Sequence, residues 1–360
     1  MLPAIFIRPL VFLTGLVLLS PGARSQDRTK YSLRTLAFYN LENLFDTHND
    51  SLTFDDARTP GGNYRWTSER YREKIKHISA VLSEIGSAVT SATPDLIGLC
   101  EVENRQVLDD LIQQPKLIGS DYGIIHFDSP DERGIDVALL YKRAVFTPLA
   151  FNSRRLLLYD EDGMRDYTRD PLVVTGLLDG EELHLIVNHW PSRSGGQARS
   201  DPYRKAAAEL NRQILDSLSA EYSRPAVVLM GDLNDNPTDS SLKKVLKTKS
   251  DPFSLAEGEW YNPMESLYRK GAGTLAYRDI WSLFDQILLT APLLDGTQGN
   301  YHFWRVGIHH PPELSVQKGR YKGYPLRTYS GGRYSGGYSD HFPVYLYLIR
   351  SSSTGLLRKD

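Results

Sequence analysis

Cysteine is nearly missing from this chain. Cys100 is the only one in 360 residues, which excludes an internal disulfide and the small stapled scaffolds that depend on one. Nor is there an excess of charge of either sign. Lys and Arg number 42 against 44 Asp and Glu, a formal net charge of −2, so the chain does not coat long nucleic acid by bulk charge, and an anionic substrate must be met by a local patch. No HExxH zinc motif occurs. The one adjacent histidine pair, His309 and His310, would point to opposite faces of a strand, and it runs into Pro311 and Pro312; it reads as loop. No internal repeat at a solenoid period and no dividing linker is visible. Beyond the N-terminus no apolar run is long enough to span a bilayer.

What the chain does have begins with that N-terminus. Residues 1–25 carry an early Arg8, an apolar core over residues 10–19, and small residues Ala23 and Ser25, the layout of a secretory signal peptide cut before Gln26. An uncleaved anchor is the alternative, and with no cysteine near the cut a lipid-modified end is disfavoured. Removing Arg8 and Arg24 takes the charge from −2 to −4. The expectation is a mature, exported, monomeric catalytic domain over 26–360, periplasmic or extracellular, without stable membrane association. At 41% hydrophobic residues it can bury a core large enough to dispense with crosslinks.

Short β-patterned runs alternate with two clear helices. Strands are expected over 34–39, 95–100, 121–126, 135–141, 172–177, 183–188, 226–230, 286–289 and 343–348. Helices are expected from Thr67 or Ser68 to Gly86, with Ile75, Ile78, Val81, Leu82 and Ile85 at helical spacing, and over 201–218. One segment departs in composition: between Glu313 and Asp340 there is no acid, while Lys318, Arg320, Lys322, Arg327 and Arg333 interleave with Tyr321, Tyr324, Tyr329, Tyr334 and Tyr338. Such a pattern suits an anionic ligand with a stacking face; a solvated hairpin fits as well.

The strand ends carry the chemistry. One run closes in Asn40, followed by Glu42; another in Glu101; another in Asn188 and His189; another in Asp232 and Asn234; and Asp340 with His341 directly precedes the last strand. Polar groups at the ends of rigid strands are where sites are built. Asp232, Asn234 and Asn236 alternate as an EF-hand loop begins, but Pro237 stands where that loop needs Gly, and Lys243 where it needs Glu. Carboxylates and amides without thiolates favour a hard cation such as Mg²⁺, with Mn²⁺ or Ca²⁺ as alternatives. With two histidines to handle protons and charge, the set suits phosphoester hydrolysis.

Seven segments then carry a resemblance: NLENLFD at 40–46, LIGLCEVEN at 96–104, RGIDVALLYK at 133–142, NHWPSR at 188–193, GDLNDNP at 231–237, FDQILL at 284–289 and SDHFPV at 339–344. In order and spacing they resemble the endonuclease/exonuclease/phosphatase superfamily of DNase I-like metal-dependent phosphoesterases. The resemblance implies a four-layered α/β sandwich, two mixed β-sheets face to face with helices outside. It implies Glu101 as metal ligand with Asn40 beside it and Asp340 completing the site. It implies Asp232 orienting or deprotonating water, Asn234 on a phosphate oxygen, and His341, braced by Asp285, on the scissile phosphate with His189 as second imidazole. Whether Asp232 or His341 is the base stays open. Asn188 and Arg193 fall in the phosphate-facing segment, Arg193 with Gly195 and Gly196 reading equally as a surface turn. Asp136 and Tyr141 match loosely and stand between site and strand structure. The remaining histidines, His48, His77, His126, His184 and His302, match no motif.

The expected activity is an exported metal-dependent phosphodiester hydrolase, nuclease-like, with nucleic acid as substrate. The alternatives are a sphingomyelinase or phospholipase C-like enzyme, an inositol-phosphate phosphatase, or a catalytically inactive binding module on the same fold.

Overall fold

The computed structural model describes residues 30–296 and 299–352; the expected signal peptide lies outside them. Thirteen strands build two main sheets. In chain order they are β1 (Lys30–Leu44), β2 (Leu96–Val102), β3 (Tyr122–His126), β4 (Asp136–Lys142), β5 (Phe146–Ser153), β6 (Leu172–Leu178) and β7 (Glu181–His189). There follow β8 (Val227–Asp232), β9 (Thr248–Lys249), β10 (Trp260–Tyr261), β11 (Asp285–Leu289), β12 (His302–Ile308) and β13 (Val344–Ser352). The first sheet runs β12-β13-β1-β2-β4-β3 and the second β9-β10-β11-β8-β7-β6-β5. Both are mixed: β1 with β2 and β8 with β7 are parallel, whereas β13 with β1 and β11 with β8 are antiparallel.

Strand alternation sorts the residues into layers. Leu36, Phe38, Leu96, Cys100, Val137 and Leu139 of the first sheet meet Leu185, Val187, Val228, Met230, Ile287 and Leu289 of the second in one buried core. The alternate residues of the first sheet, among them Ala37, Ile97, Leu99 and Leu140, pack under helices α1 (Ser68–Glu84) and α2 (Arg105–Ile112). Those of the second, Ile186, Val227, Leu229 and Leu288, pack under α3 (Gln197–Glu221). The order is helix, sheet, sheet, helix, a four-layered α/β sandwich. Two glycines permit close approach. A Cβ on Gly98 would stand 2.5 Å from Met230 Sδ of the facing sheet, and one on Gly231 would stand 2.5 Å from the Asn188 carbonyl oxygen on the neighbouring strand.

Several elements escape the sequence pattern. β5 contains Pro148 and is mostly exposed, which an edge strand tolerates because one side of it needs no donor. β12 is likewise half-exposed at the opposite sheet's edge. The eight-residue α2 is capped by Asn104, whose side chain accepts from the Val107 N–H at 3.1 Å. Residues after Pro237 make only a single π-type turn, Ser241–Val245, rather than a full helix. Cys100 is buried and unpaired, with burial pushing its thiol well above its ordinary range, so it stays protonated and inert. Among the described residues, no helix is long and apolar enough to cross a membrane.

Candidate active site

The parallel pairs bring their polar ends to one edge of the sandwich. On β8, Val228 and Met230 face the inner core, so Asp232 does too. It pairs in register with Asp285 of β11 on one side and His189 of β7 on the other. On β1, Leu36 and Phe38 point inward, and Asn40 follows in the same phase. Its amide donates to Asp232 Oδ2 across the gap between sheets at 3.1 Å.

The two histidines flank Asp232 symmetrically. His189 Nε2 and His341 Nε2 each lie 3.8 Å from Asp232 Oδ2. The Nδ1 of His341 sits 2.6 Å from Asp285 Oδ2, which turns Nε2 toward the cleft. Burial alone would strip the proton from His341. The charges of Asp285 and Asp232, with the Asp285 hydrogen bond and Asp340, outweigh it and hold the imidazolium well above the ordinary histidine range. His189 goes the other way: burial, with Arg169, Arg133 and the His341 charge nearby, keeps it neutral. Burial also pushes Asp232 up to about 7; Asp285 adds to that, while the His341 charge and hydrogen bonds from the Asn234 N–H and the Asn40 amide oppose it. One imidazolium, one neutral imidazole and one carboxylate near neutrality thus share a few ångströms, a separation of protonation states typical of acid–base sites.

The opposite wall is built differently. By alternation Glu101 would face the helices with Ile97 and Leu99. The register between β2 and β4 slips between Cys100 and Val102, and Glu101 adopts φ +59°, a left-handed bulge that re-aims its side chain. Its Oε2 accepts from the Asn43 N–H at 2.9 Å, while Oε1 lies 3.9 Å from His189 Nε2. Glu42 and Asn43 are left-handed as well, at φ +50° and +57°. The Glu42 carboxylate accepts from the Thr328 N–H at 2.6 Å and from Arg327 Nε at 3.2 Å, and Arg327 Nη2 donates to Asp340 Oδ2 at 2.8 Å. Beneath them the buried Lys74 ammonium donates to Thr328 Oγ1 at 2.6 Å and to the Tyr338 carbonyl; burial brings it down to about 8.

Most of the residues singled out in sequence therefore converge: Asn40, Glu101, His189, Asp232, Asn234, Asp285, Asp340 and His341. Asn234 is left-handed at φ +49°, its N–H donating to Asp232 Oδ1 at 3.0 Å and its amide to the Trp190 carbonyl at 3.0 Å. Four others are placed elsewhere. Asn188 is out of phase with His189 and faces α3, its oxygen accepting from Trp190 Nε1 at 3.1 Å and from Asn211 at 2.8 Å; it cannot also hold phosphate. Tyr141 belongs to the inner core against Phe146, at the β2 end that starts with Leu96, away from Glu101. Asp136 bonds His126 Nε2 at 3.0 Å and the Ser129 N–H at 2.7 Å. It lines an acidic basin of about 590 Å³ shared with Asp46, Asp50, Glu103, Asp128 and Asp131, surroundings that repel phosphate. Arg193 has its guanidinium on the Asn234 carbonyl, Asp235 and Asp239, so it braces the loop that carries Asn234. The basic, tyrosine-rich segment forms a small hairpin whose Tyr329 and Tyr334 pack on Tyr64 and Arg70. Of its cations, Arg327 enters the site.

A divalent cation fits this donor set. Among the described residues no hydrogen-bond donor reaches Glu101 Oε1, Asn40 and Asp340 add hard oxygens, and no thiolate stands by to select a soft metal. Asp232, Asp285 and His341 also cluster closely enough to hold an ion, but the Asp285–His341 hydrogen bond would have to break. The Glu101 side is the better cradle.

The sequence profile described as the Endonuclease/Exonuclease/phosphatase family matches residues 35–350. Among curated proteins, none matches the chain. Solved structures share the fold. TDP2 of D. rerio, complexed with single-strand DNA product, is 14% identical with TM-score 0.51, covering 88% of this chain and 99% of its own. An endonuclease/exonuclease/phosphatase from Bacteroides vulgatus is 14% identical with TM-score 0.53, covering 88% and 98%. A mannosyl-6-phosphatase from Bacteroides thetaiotaomicron is 18% identical with TM-score 0.50, covering 88% and 99%.

Proposed function

The chain belongs to the endonuclease/exonuclease/phosphatase family, whose members are divalent-metal-dependent phosphoesterases, and on that premise we propose that it is an exported phosphodiester hydrolase, nuclease-like in its chemistry. The observation that carries this reading is the placement of His189 and His341, each 3.8 Å from Asp232 and held in opposite protonation states. In the proposed reaction Asp232, when ionised, takes a proton from a water whose oxygen forms the new bond to phosphorus. As the P–O bond to the leaving group breaks, the His341 imidazolium gives its Nε2 proton to the departing oxygen and is held for that task by Asp285. Neutral His189 and the unused N–H of the Asn234 amide donate to the non-bridging oxygens. Glu101, with Asn40 and Asp340, would hold Mg²⁺, which when bound polarises the phosphoryl oxygen.

Nucleic acid is the proposed substrate, a reading supported by the D. rerio TDP2 structure with single-strand DNA product. The mannosyl-6-phosphatase of similar fold favours the second reading, a phosphomonoesterase. Hydrolysis of bis-p-nitrophenyl phosphate with Mg²⁺, and its abolition by EDTA, is the expected result; no metal-dependent turnover of any phosphoester in a panel of single- and double-stranded DNA, RNA, sphingomyelin and sugar or inositol phosphates would overturn the proposal. Export is tested separately by sequencing the N-terminus of chain recovered outside the cytoplasm, which should begin at Gln26.

A further inference from the structure

Arg58 stands apart from the other arginines near the cleft. Arg327, Arg193, Arg169 and Arg204 each meet carboxylates within 3.2 Å. The side chain of Arg58, part-buried at the end of the turn Asp56–Arg58, makes no hydrogen bond and no ion pair among the described residues. Its guanidinium carbon lies instead 5.0 Å from the Phe45 ring centroid and 4.9 Å from that of Tyr64. Tyr64 is itself packed edge-on against Tyr329. Backbone bonds from the Arg58 N–H to Asp55 and from the Tyr64 N–H to Ala57, at 2.6 and 2.9 Å, keep this loop in place.

Its position relates it to the Glu101 wall. Phe45 is two residues beyond Asn43, whose N–H holds Glu101 Oε2, and Leu44 pairs with Val102. Burial draws the guanidinium's pKa down, and the charges of Glu101 and Glu42 push it back up, so those carboxylates are its electrostatic neighbours. It touches none of Asp232, His189 or His341. A guanidinium has five donors and no acceptor. Where aromatic rings rather than acids hold it, its donors stay available for the planar, two-point grip that suits phosphate oxygens. The scissile phosphate is already served by His341, His189 and the Glu101 wall, so a further cation outside that wall has no role with a singly charged diester.

We propose that Arg58 binds a second negative charge on the substrate's phosphate, next to the bond that is cut. This rests on the reading of the site as a phosphoesterase. The second charge has two sources, a neighbouring phosphate in a nucleotide chain or the extra charge of a terminal phosphomonoester. The test compares wild type, Arg58→Met, which keeps the stem between the rings, and Arg58→Lys. Three substrates are used: bis-p-nitrophenyl phosphate, 5′-phosphorylated dithymidine and p-nitrophenyl phosphate. Arg58→Met is expected to lower kcat/KM, chiefly through KM, by about 10–100-fold where a second charge is present, the size of a lost charged hydrogen bond, and by less than about threefold on the diester that lacks it. Arg58→Lys should restore part of the loss. A defect confined to phosphorylated dithymidine assigns the neighbouring phosphate; one confined to p-nitrophenyl phosphate assigns the monoester. An equal defect on all three substrates, or none on any, overturns the proposal. If wild type turns over none of them, the catalytic reading has failed, and equilibrium binding of phosphorylated dithymidine decides this one: equal Kd for wild type and Arg58→Met would refute it.

Discussion

The two walls of the cleft reach the same place by opposite means. The wall from the second sheet, Asp285, Asp232 and His189, is three neighbouring strands in regular register, and each functional side chain simply continues the inward phase of the apolar residues before it. The wall from the first sheet, Glu42, Asn43 and Glu101, lies in left-handed backbone at two register slips. The regular wall is buried, and its carboxylates are answered from the other sheet, Asp285 by His341 ahead of β13 and Asp232 by the Asn40 amide. The irregular wall leaves Oε1 of Glu101 without a hydrogen-bond donor among the described residues, and the Arg58 side chain just outside it is likewise without an acid partner there. Alternation can aim one residue in two; a bulge is what lets the chain aim Glu101 from an odd position. The proposed division of labour follows: the proton-accepting Asp232 on the regular wall, His341 facing it from the first sheet, and cation recognition on the irregular wall.

Mutation should separate these roles, beginning with the largest effect. Asp232→Ala or His341→Ala is expected to lower kcat by about 10³-fold, within the range for loss of a general acid or base, with circular dichroism unchanged. Normal turnover in both would break the assignment of proton transfer to Asp232 and His341. Glu101→Gln should instead raise the Mg²⁺ concentration needed for half-maximal activity by at least the roughly 10–100-fold that loss of an outer-sphere metal partner costs. A kcat loss that no excess of metal repairs would show that Glu101 is not the cation's holder. The neighbours Asn188 and His189 sharpen the comparison within one strand. His189→Ala should cost about 10²-fold in kcat at little cost in stability. Asn188→Ala should keep kcat and lose about 1–3 kcal/mol in denaturant unfolding, the cost of orphaned buried partners; the reverse pattern would mean the strand's phase is wrong. Arg193→Ala, part-exposed and shared among three acceptors, is expected to have the smallest effect, about 1 kcal/mol of stability, read by thermal melting.

Legibility in sequence follows the same division. GDLN and NHW announced their residues because an apolar run ends abruptly in polar groups, and counting phase inward from Met230 or Val187 aims Asp232 and His189; Asp285, at the start of its strand, came only with the resemblance. The same count places Asn188 in the opposite phase, toward α3. Glu101 was recognisable by type, but nothing local says that its backbone turns left-handed. Arg327 was marked only as one cation of a basic segment, and its pairing with Glu42, like the place of Lys74, was out of reach because the partners lie far along the chain, Glu42 being 285 residues from Arg327. Arg58 sits in a loop of mixed composition whose only signal is aromatic neighbours. The alternating strands and helices were readable in the pattern, apart from the half-exposed edge strands β5 and β12, where a single covered face weakens it; their arrangement as a four-layered sandwich came with the family resemblance.

The central claim is that Asp232 works ionised while His341 works protonated, and that Asp285 sets the latter. The pH profile of kcat/KM for bis-p-nitrophenyl phosphate in wild type and Asp285→Asn tests it most directly. Activity should rise as Asp232 ionises, through about 7 or below once a neighbouring cation favours the carboxylate, and fall only at high pH as His341 loses its proton. Removing the Asp285 charge takes away the largest influence holding that proton, so the alkaline fall should move to lower pH while the acidic rise moves little or shifts slightly downward. An alkaline limb that stays where it was in Asp285→Asn would contradict the account.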